Sequence, residues 1–579
     1  MVKFPLLPLV RAQLARRRGW AGIPLALAPG LALAGPSGGD VVAGSAAISA
    51  PDAHTTQIDQ HSQSAIINWQ QFSVGAEEFV LFNQPSSSAV VLNRVIGGSM
   101  SEILGQMQAN GQVFLVNPMG VLFGQGSRVD VGGLVATTLD ISDADFSAGN
   151  YVFSGASTAG IHNRGTITAD QGFVVLSADQ VQNTGLIQAI GGNVVLASAG
   201  GLSLDIDGRG LISYQIDQAA LSELAGIDNL GQIIADGGAI ALHADVARQL
   251  AGTVINNQGQ LQARGIAEGD GGEIYLTASG GDIVHNGSID VSGAHGGTTR
   301  LIASDHLQPP AEPRTLAHGV DPLSGGFIEL SGHDSIHIRG EVNVAGGRLL
   351  LDPTTFTIGN GSECSADICE TFLESQLTRN NVDAVATDSV ILEDLSDGEI
   401  TSSGTFQLRL GIGEVSYGGA YTRGTGGGTI TFQDSNDKIN IGGDLKVIGG
   451  EASGSISVGG LRARSVEVDT GGNIQAGDIQ STGGSIRLTA GTGIQTGQLT
   501  ADDSGFEGSG ADASLTINAG GNVDVGTIDT EATATGFSQI DADARVKITA
   551  GGTLKVNGSI TTSGRANGSS GSSGTADAQ

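Results

Sequence analysis

Few residues in this chain of 579 have the types and spacing that chemistry demands. Cys364 and Cys369 are the only cysteines, and four residues separate them. In an oxidising compartment they are expected to close a small local disulfide. So short a loop adds little global stability. Zinc would need two further ligands, and no histidine lies nearby, so no metal is expected there. His333 and His337 sit four apart in an expected strand, on one face but roughly 13 Å from each other, too far to share an ion. Ser, His and Asp are abundant but scattered, and no Gly-x-Ser-x-Gly elbow occurs. No catalytic residue and no cofactor is therefore assigned, and the chain is not expected to be an enzyme. Asn286, Asn360, Asn557 and Asn567 begin Asn-x-Ser sequons, which Gly-Ser turns also generate by chance.

The polar residues with the most ordered placement lie in residues 79–124. Apolar strands Phe79–Phe82, Ala89–Leu92 and Val113–Val116 alternate with polar corners, at Asn83-Gln84-Pro85-Ser86, Asn93-Arg94 and Asn117-Pro118-Met119-Gly120. Glu102 and Arg94 are the only charges in the block. Such a block suits folding and recognition, not a reaction. Asn, Pro and Gly at turn positions one, two and four suit a type I turn in 117–120.

Composition sets the frame that must carry these corners. Glycine is 93 of 579 residues and aromatics are only 4%, too few large side chains for a wide core but enough for a narrow, layered one. Net charge is −32, from 27 basic and 59 acidic residues. That balance argues against nucleic-acid binding and against tight association with anionic membranes. Lys3, Arg11, Arg16, Arg17 and Arg18 precede an apolar stretch from Trp20 to Ala34 that ends in Ala32-Leu33-Ala34. This reads as a signal peptide cleaved after residue 34. Gly22, Pro24 and Pro29 interrupt a segment already too short for a membrane span.

From residue 161 the chain repeats itself. An apolar-x-Asn-x-Gly-x-apolar-x-Ala motif recurs as IHNRGTITA (161–169), VQNTGLIQA (181–189), IDNLGQIIA (227–235) and INNQGQLQA (255–263), with a shortened VHNGSIDV at 284–291. Gly-Gly followed by an alternating strand recurs too, as in GGNVVLAS (191–198), GGAIALHA (237–244) and GGSIRLTA (483–490). Alternation bounded by glycine predicts strands with one face buried. Asn163 to Asn183 is 20 residues and Asn229 to Asn257 is 28, spacings that fit one coil of a parallel β-helix. The recurrent Asn is expected at a corner, pairing with its stacked neighbours. On the order of 20 coils would make a rod on the order of 100 Å long.

Residues 40–146 resemble the amino-terminal secretion domain of two-partner secretion exoproteins, the filamentous haemagglutinin family. The likeness runs through INWQQFSVGAEEFVLFNQP (67–85), SAVVLNRVIGG (88–98), ILGQMQANGQVFLVNPMGVLFG (103–124) and GLVATTLDISDADF (133–146), and LLLDPTTFTI (349–358) resembles a later segment of these proteins. Met119 stands where the family usually has Asn. The resemblance implies an all-β, right-handed parallel β-helix with an amino-terminal secretion and cap domain. It also implies Sec export into the periplasm of a Gram-negative-type cell, then passage through an outer-membrane β-barrel with periplasmic transport domains. On that footing Asn83, Gln84, Pro85, Asn93, Arg94, Asn117, Pro118 and Gly120 form a candidate transporter-recognition motif. For each of these corners a purely structural role stands beside the transporter contact, and Arg94 either meets the transporter or braces an intramolecular cap.

The expected domains are a signal peptide (1–34), a secretion or haemagglutination-activity domain (35–160), β-helix repeats (161–350), an irregular excursion or change of rod segment with the cysteine pair (351–426), further repeats (427–562) and a flexible Gly/Ser tail (563–579). ETFLESQLTRN (370–380) is expected as a short amphipathic helix. The expected function is that of a secreted, cell-surface adhesin engaging a host glycan or protein receptor. The alternative is a ligand-capture protein or a toxin that uses the same route.

Overall fold

Short glycine-bounded strands cannot satisfy their backbones alone, and those of the coil stack pair in parallel with strands of the neighbouring coils. A computed structural model describes residues 35–579 except 208–210, 221, 223–224, 248–251, 309–313, 416–420, 507–509, 536–540 and 568–572. The expected signal peptide lies outside the described residues. The rest is a parallel β-helix, as expected. One coil runs through Gln112–Val116, Val121–Phe123 and Arg128–Asp130 and returns as Gly133–Thr137, which sets Val113 beside Leu134 and Leu115 beside Ala136. These positions belong to a first, second and third sheet in turn.

The predicted coil lengths hold. Ile161 lies beside Val181, Ile167 beside Ile187 and Val174 beside Val194, each in parallel register. The longer interval also closes one coil, with Asn229 beside Asn257. Apolar residues alternate inward and stack, so Val174, Val194, Ile240 and Ile274 are fully buried in one interior column. The amino-terminal end is closed by two antiparallel strands, Asp40–Ala43 on Ser64–Trp69 and Ala46–Ser49 on Thr55–Gln60. A parallel stack that started bare would present unpaired backbone edges, and this cap removes them.

The repeated asparagines form a buried ladder at the corner between the second and third sheets. Asn163 Nδ2 donates to Asn183 Oδ1 at 2.8 Å, Asn183 to Asn229 at 2.8 Å and Asn229 to Asn257 at 2.7 Å. Asn257 Nδ2 then lies 3.0 Å from Nδ1 of His285. The fifth repeat is thus not shortened. Ile283 pairs with Ile255 and His285 with Asn257, so His285, not Asn286, occupies the ladder position. Asn286 sits at the exposed corner.

Two further expectations need correction. First, strands in the early coils are not buried on one face only. Gln112–Val116, Gly133–Thr137 and Phe173–Ala178 are buried at every position. The outer face of the first sheet is covered by a helix, Asp143–Ala148, and by an antiparallel sheet of Tyr151–Ser154, Gly201–Ile206 and Leu211–Gln218. Phe114, Phe146, Tyr151, Phe153 and Phe173 join Leu202 and Leu204 in a second core outside the coil. A run with no polar alternation is what a doubly covered strand requires.

Second, residues 351–426 are no excursion from the stack. Arg348–Pro353, Asn381–Ala386 and Leu408–Val415 continue the first sheet without a break. A change of rod segment, the other expectation, describes what happens on the remaining faces. The second sheet ends at Ser335–Ile336 and a fourth begins at Thr355–Gly359. Asp367 holds the seam: its carboxylate accepts from the backbone of Ile336 at 2.9 Å and of Thr357 at 2.8 Å. The third sheet ends at Glu341–Asn343, and for one coil the helix Glu370–Leu377 takes its place, burying Leu373 and Leu377. The strand Glu399–Ser402 then resumes that face. The helix was expected, and so was the Cys364–Cys369 disulfide, which closes the loop just before it. Within the Gly/Ser tail, Ser573–Ala578 is a strand paired with Asp541–Val546 and is therefore not free. Backbone pairing to a ready template outweighs its loop-like composition.

Candidate recognition site on the amino-terminal coils

The Asn117-Pro118-Met119-Gly120 corner is a β-turn held from inside. Gly120 N–H donates to the Asn117 carbonyl at 3.0 Å, and Asn117 Oδ1 accepts from Met119 N–H at 2.9 Å. Asn117 Nδ2 donates to the Ser99 carbonyl at 3.0 Å and to Ser101 Oγ at 2.9 Å. Asn117 is fully buried, so its amide is committed within the chain. Gly120 has φ +101, and a Cβ there would lie 2.9 Å from the Gly160 carbonyl oxygen. Only glycine meets both demands without strain. Pro118 and Met119 are left facing solvent, Met119 being 49% exposed. The turn survives the Met, as turn chemistry predicts.

The other corners divide in the same way. Asn93 is fully buried and accepts from the Trp69 indole N–H at 3.0 Å. Gln84 is buried with its amide nitrogen 3.0 Å from Gln60 Oε1 and 3.0 Å from the Ala89 carbonyl. Asn110, which the sequence reading passed over, completes that corner through paired bonds to the Gln84 backbone at 2.7 and 2.8 Å. Asn83 and Pro85 are exposed. Asn83 donates to Asp59 at 2.7 Å, and this bond, with Gln57, holds the Asp59 carboxyl below its ordinary range. Of the eight candidate residues, then, Asn83, Pro85 and Pro118 present side chains outward. Gln84, Asn93, Asn117 and Gly120 set the backbone that presents them.

Arg94 braces an intramolecular element. Its Nε lies 3.0 Å from Asp140 and its Nη1 2.5 Å from Asp143, while Nη2 donates to the Ile141 carbonyl. These contacts pin the strap that leads into the helix Asp143–Ala148. Ser142 caps that helix by accepting from Asp145 N–H at 3.0 Å, and Gly149 ends it at φ +77. The helix seats Phe146 edge-on against Phe114, ring centroids 5.6 Å apart. Replacing Arg94 by Ala returns two half-exposed carboxylates to water and leaves the Ile141 carbonyl without its guanidinium donor, and is expected to loosen the strap by about 1–2 kcal/mol. Hydrogen exchange over residues 139–150 should quicken while the interior strands stay protected. Arg94→Lys should not restore protection, because a point charge cannot reach three acceptors at once. Unchanged exchange in Arg94→Ala would refute the bracing role.

No helix among the described residues is long and apolar enough to cross a membrane. The expected strand carrying both His333 and His337 is not formed: His333 lies on an exposed corner, 2.9 Å from Asp334, ahead of the short strand Ser335–Ile336, and His337 follows that strand.

The family model of the TPS secretion domain matches residues 33–308. The amino-terminal half of this chain is a two-partner secretion domain. The match runs past residue 160, so the strands of the second core at 201–206 and 211–218 fall within the secretion domain. A heme/hemopexin-binding protein of Haemophilus influenzae (strain Rd) is 35% identical over 267 residues, 45% of this chain and 28% of that protein. Another heme/hemopexin-binding protein of Haemophilus influenzae is 42% identical over 113 residues, 20% of this chain and 12% of the relative. The matched region thus spans under a third of either relative. Among solved structures, the secretion domain of HMW1 from Haemophilus influenzae aligns at 22% identity and TM-score 0.39, covering 80% of this chain and 98% of that one.

Proposed function

We propose that this exoprotein is carried into the periplasm by the Sec machinery and leaves through a cognate outer-membrane β-barrel. Transport domains of that barrel would read the exposed corners of the secretion domain, and outside the cell the protein would work as an adhesin. The secretion-domain match over residues 33–308 carries the export half of this reading. The amino-terminal cap and the second core suit the task, since together they give the first coils a finished template on which later coils add. Each added coil then gains backbone pairing at once, and folding outside biases the chain outward. Deleting residues 40–146 should reduce secretion to background in cells that hold the transporter. Secretion at the wild-type level would sink the proposal.

A second reading is ligand capture, supported by the printed names of the two relatives, which are heme/hemopexin-binding proteins. The two readings part in one experiment. Purified secreted protein that coats a surface and retains host cells supports the adhesin. Protein that instead retains heme or hemopexin, without holding cells, supports capture.

A further inference from the structure

Beyond the secretion domain, the face that the helix Glu370–Leu377 interrupts carries an open trough. Glu399–Ser402, Lys438–Ile441, Gly460–Thr470 and Ile479–Ala490 stack in parallel register there. Ile400, Ile439, Leu461 and Ile479 point into the coil and are buried. Alternation therefore turns Thr401, Asn440, Arg462 and Gln480 outward as a single row, one residue per coil. A cleft of about 720 Å³ lies between this row and the helix, and one of about 570 Å³ lies on its other side. Asn440 and Arg462 line both, so the two form one trough with the row as its floor. Across four coils it runs about 15–20 Å along the axis.

Two cations meet in the trough without an ion pair among the described residues, as Arg128, Arg164 and Lys547 do singly elsewhere on the rod. On the adjoining face of the same coils, Lys446 pairs with Glu467 at 3.3 Å, Arg423 with Asp469 at 3.0 Å and Arg464 with Asp444. In the trough, Lys438 and Arg462 are exposed, and neither has an ion pair among the described residues. Two cations left open on adjacent coils of one groove suit an anion from outside. Two nearby carboxylates are already engaged, Glu374 by Thr401 N–H at 2.6 Å and Asp478 by Gln498 N–H at 2.8 Å. With Glu399 at the rim, they can accept from the hydroxyl donors of a sugar. A coil rise of about 4.8 Å also sets one polar side chain under each step of an extended sugar chain.

We propose that this trough binds a linear oligosaccharide bearing uronic-acid carboxylates, laid along the coil axis. Arg462 and Lys438 take its carboxylates, while Thr401, Asn440 and Gln480 meet its hydroxyls. This names a ligand class for the adhesin reading and rests on that reading for its biological setting. The two can fail apart, because the trough is tested in solution and adhesion is tested on cells.

The test is calorimetric titration of the full secreted chain with hexamers of galacturonate, mannuronate and hyaluronan. Controls are the methyl-esterified galacturonate hexamer, a sulfated neutral hexamer and a sialylated trisaccharide. At least one uronate hexamer is expected to bind and its neutral ester not to. Arg462→Ala, on an exposed site that leaves the fold intact, should weaken binding roughly tenfold or more, and Lys438→Ala by a smaller factor. Gln480→Trp, which obstructs the floor without changing its charge, should abolish it. The proposal is overturned if no uronate hexamer binds, if the sulfated or sialylated control binds more tightly, or if binding persists in Arg462→Ala and Gln480→Trp alike.

Discussion

Asn183→Ala is expected to destabilise the early coils by about 3–5 kcal/mol, far more than any exposed substitution nearby. Asn183 accepts from Asn163 at 2.8 Å and donates to Asn229 at 2.8 Å, and all three are fully buried. Truncation leaves the Asn163 amide with only its 3.4 Å bond to the Leu186 carbonyl and the Asn229 side-chain carbonyl without its donor from Asn183. Each stranded group costs about 1–3 kcal/mol in a site closed to water, and the lost volume adds to this. A solenoid communicates only between neighbouring coils, so the loss should be local. Hydrogen exchange should quicken at Gln180–Asn183 and Gly226–Asn229 and remain slow in the coils beyond Thr355–Gly359. Thr184→Ala, one residue away on the exposed corner, should change little. Equal exchange in the two variants would show that the ladder is decoration.

At the end of the ladder, His285→Asn is expected to remove an acid sensitivity. Burial pushes the His285 imidazole from its ordinary 6.5 down to about 4, against a smaller opposing contribution from Asn257. Asn257 Nδ2 donates to Nδ1, which places the proton of the neutral ring on Nε2. Protonating Nδ1 would break the ladder bond and bury a cation. The sign follows from linkage: the unfolded chain takes up the proton first as pH falls. The stabilisation held above 6.5 therefore drains away towards pH 4, by about 3 kcal/mol in all. Asn cannot titrate, and it offers Asn257 the acceptor that the other ladder positions offer. The carboxylates impose their own pH dependence on both proteins, so the difference between the two urea-midpoint profiles isolates His285. The profiles should coincide above 6.5 and diverge below it, with the variant the more stable. Parallel profiles throughout would refute the assignment.

These two residues show how unevenly the sequence could be read. Asn163, Asn183, Asn229 and Asn257 were legible because the same triplet returns with every coil, and stacking follows from that repetition. His285 was hidden by Asn286, which sits one position late and imitates the motif; only the pairing of Ile283 with Ile255 sets the register. Gln84, Asn93 and Asn117 stood out as corners by residue type, yet nothing local told buried brackets from exposed contacts. Arg94 announced a need for a partner without naming it, since Asp140 and Asp143 lie far along the chain. The second core left a trace in runs such as FVVLSA (173–178), but its cover comes from strands at 151–154 and 201–206.

What the sequence determined by itself is local in origin. Glycine spacing sets where strands end, two-residue alternation sets which side chains face inward, and turn residues set the corners. Those rules suffice for a β-helix, while its secretion-domain character was legible only through the likeness of the motifs in residues 67–146 to a known family. The tertiary structure alone decided which corners point outward, what covers the first sheet, how Asp367 and one helix splice two sets of sheets, and which side chains gather on the trough floor. Coils of unequal length bring Thr401, Asn440, Arg462 and Gln480 to neighbouring positions from unequal intervals in the chain. Register between coils is a property of backbone pairing across those intervals, and no short stretch of residues contains it.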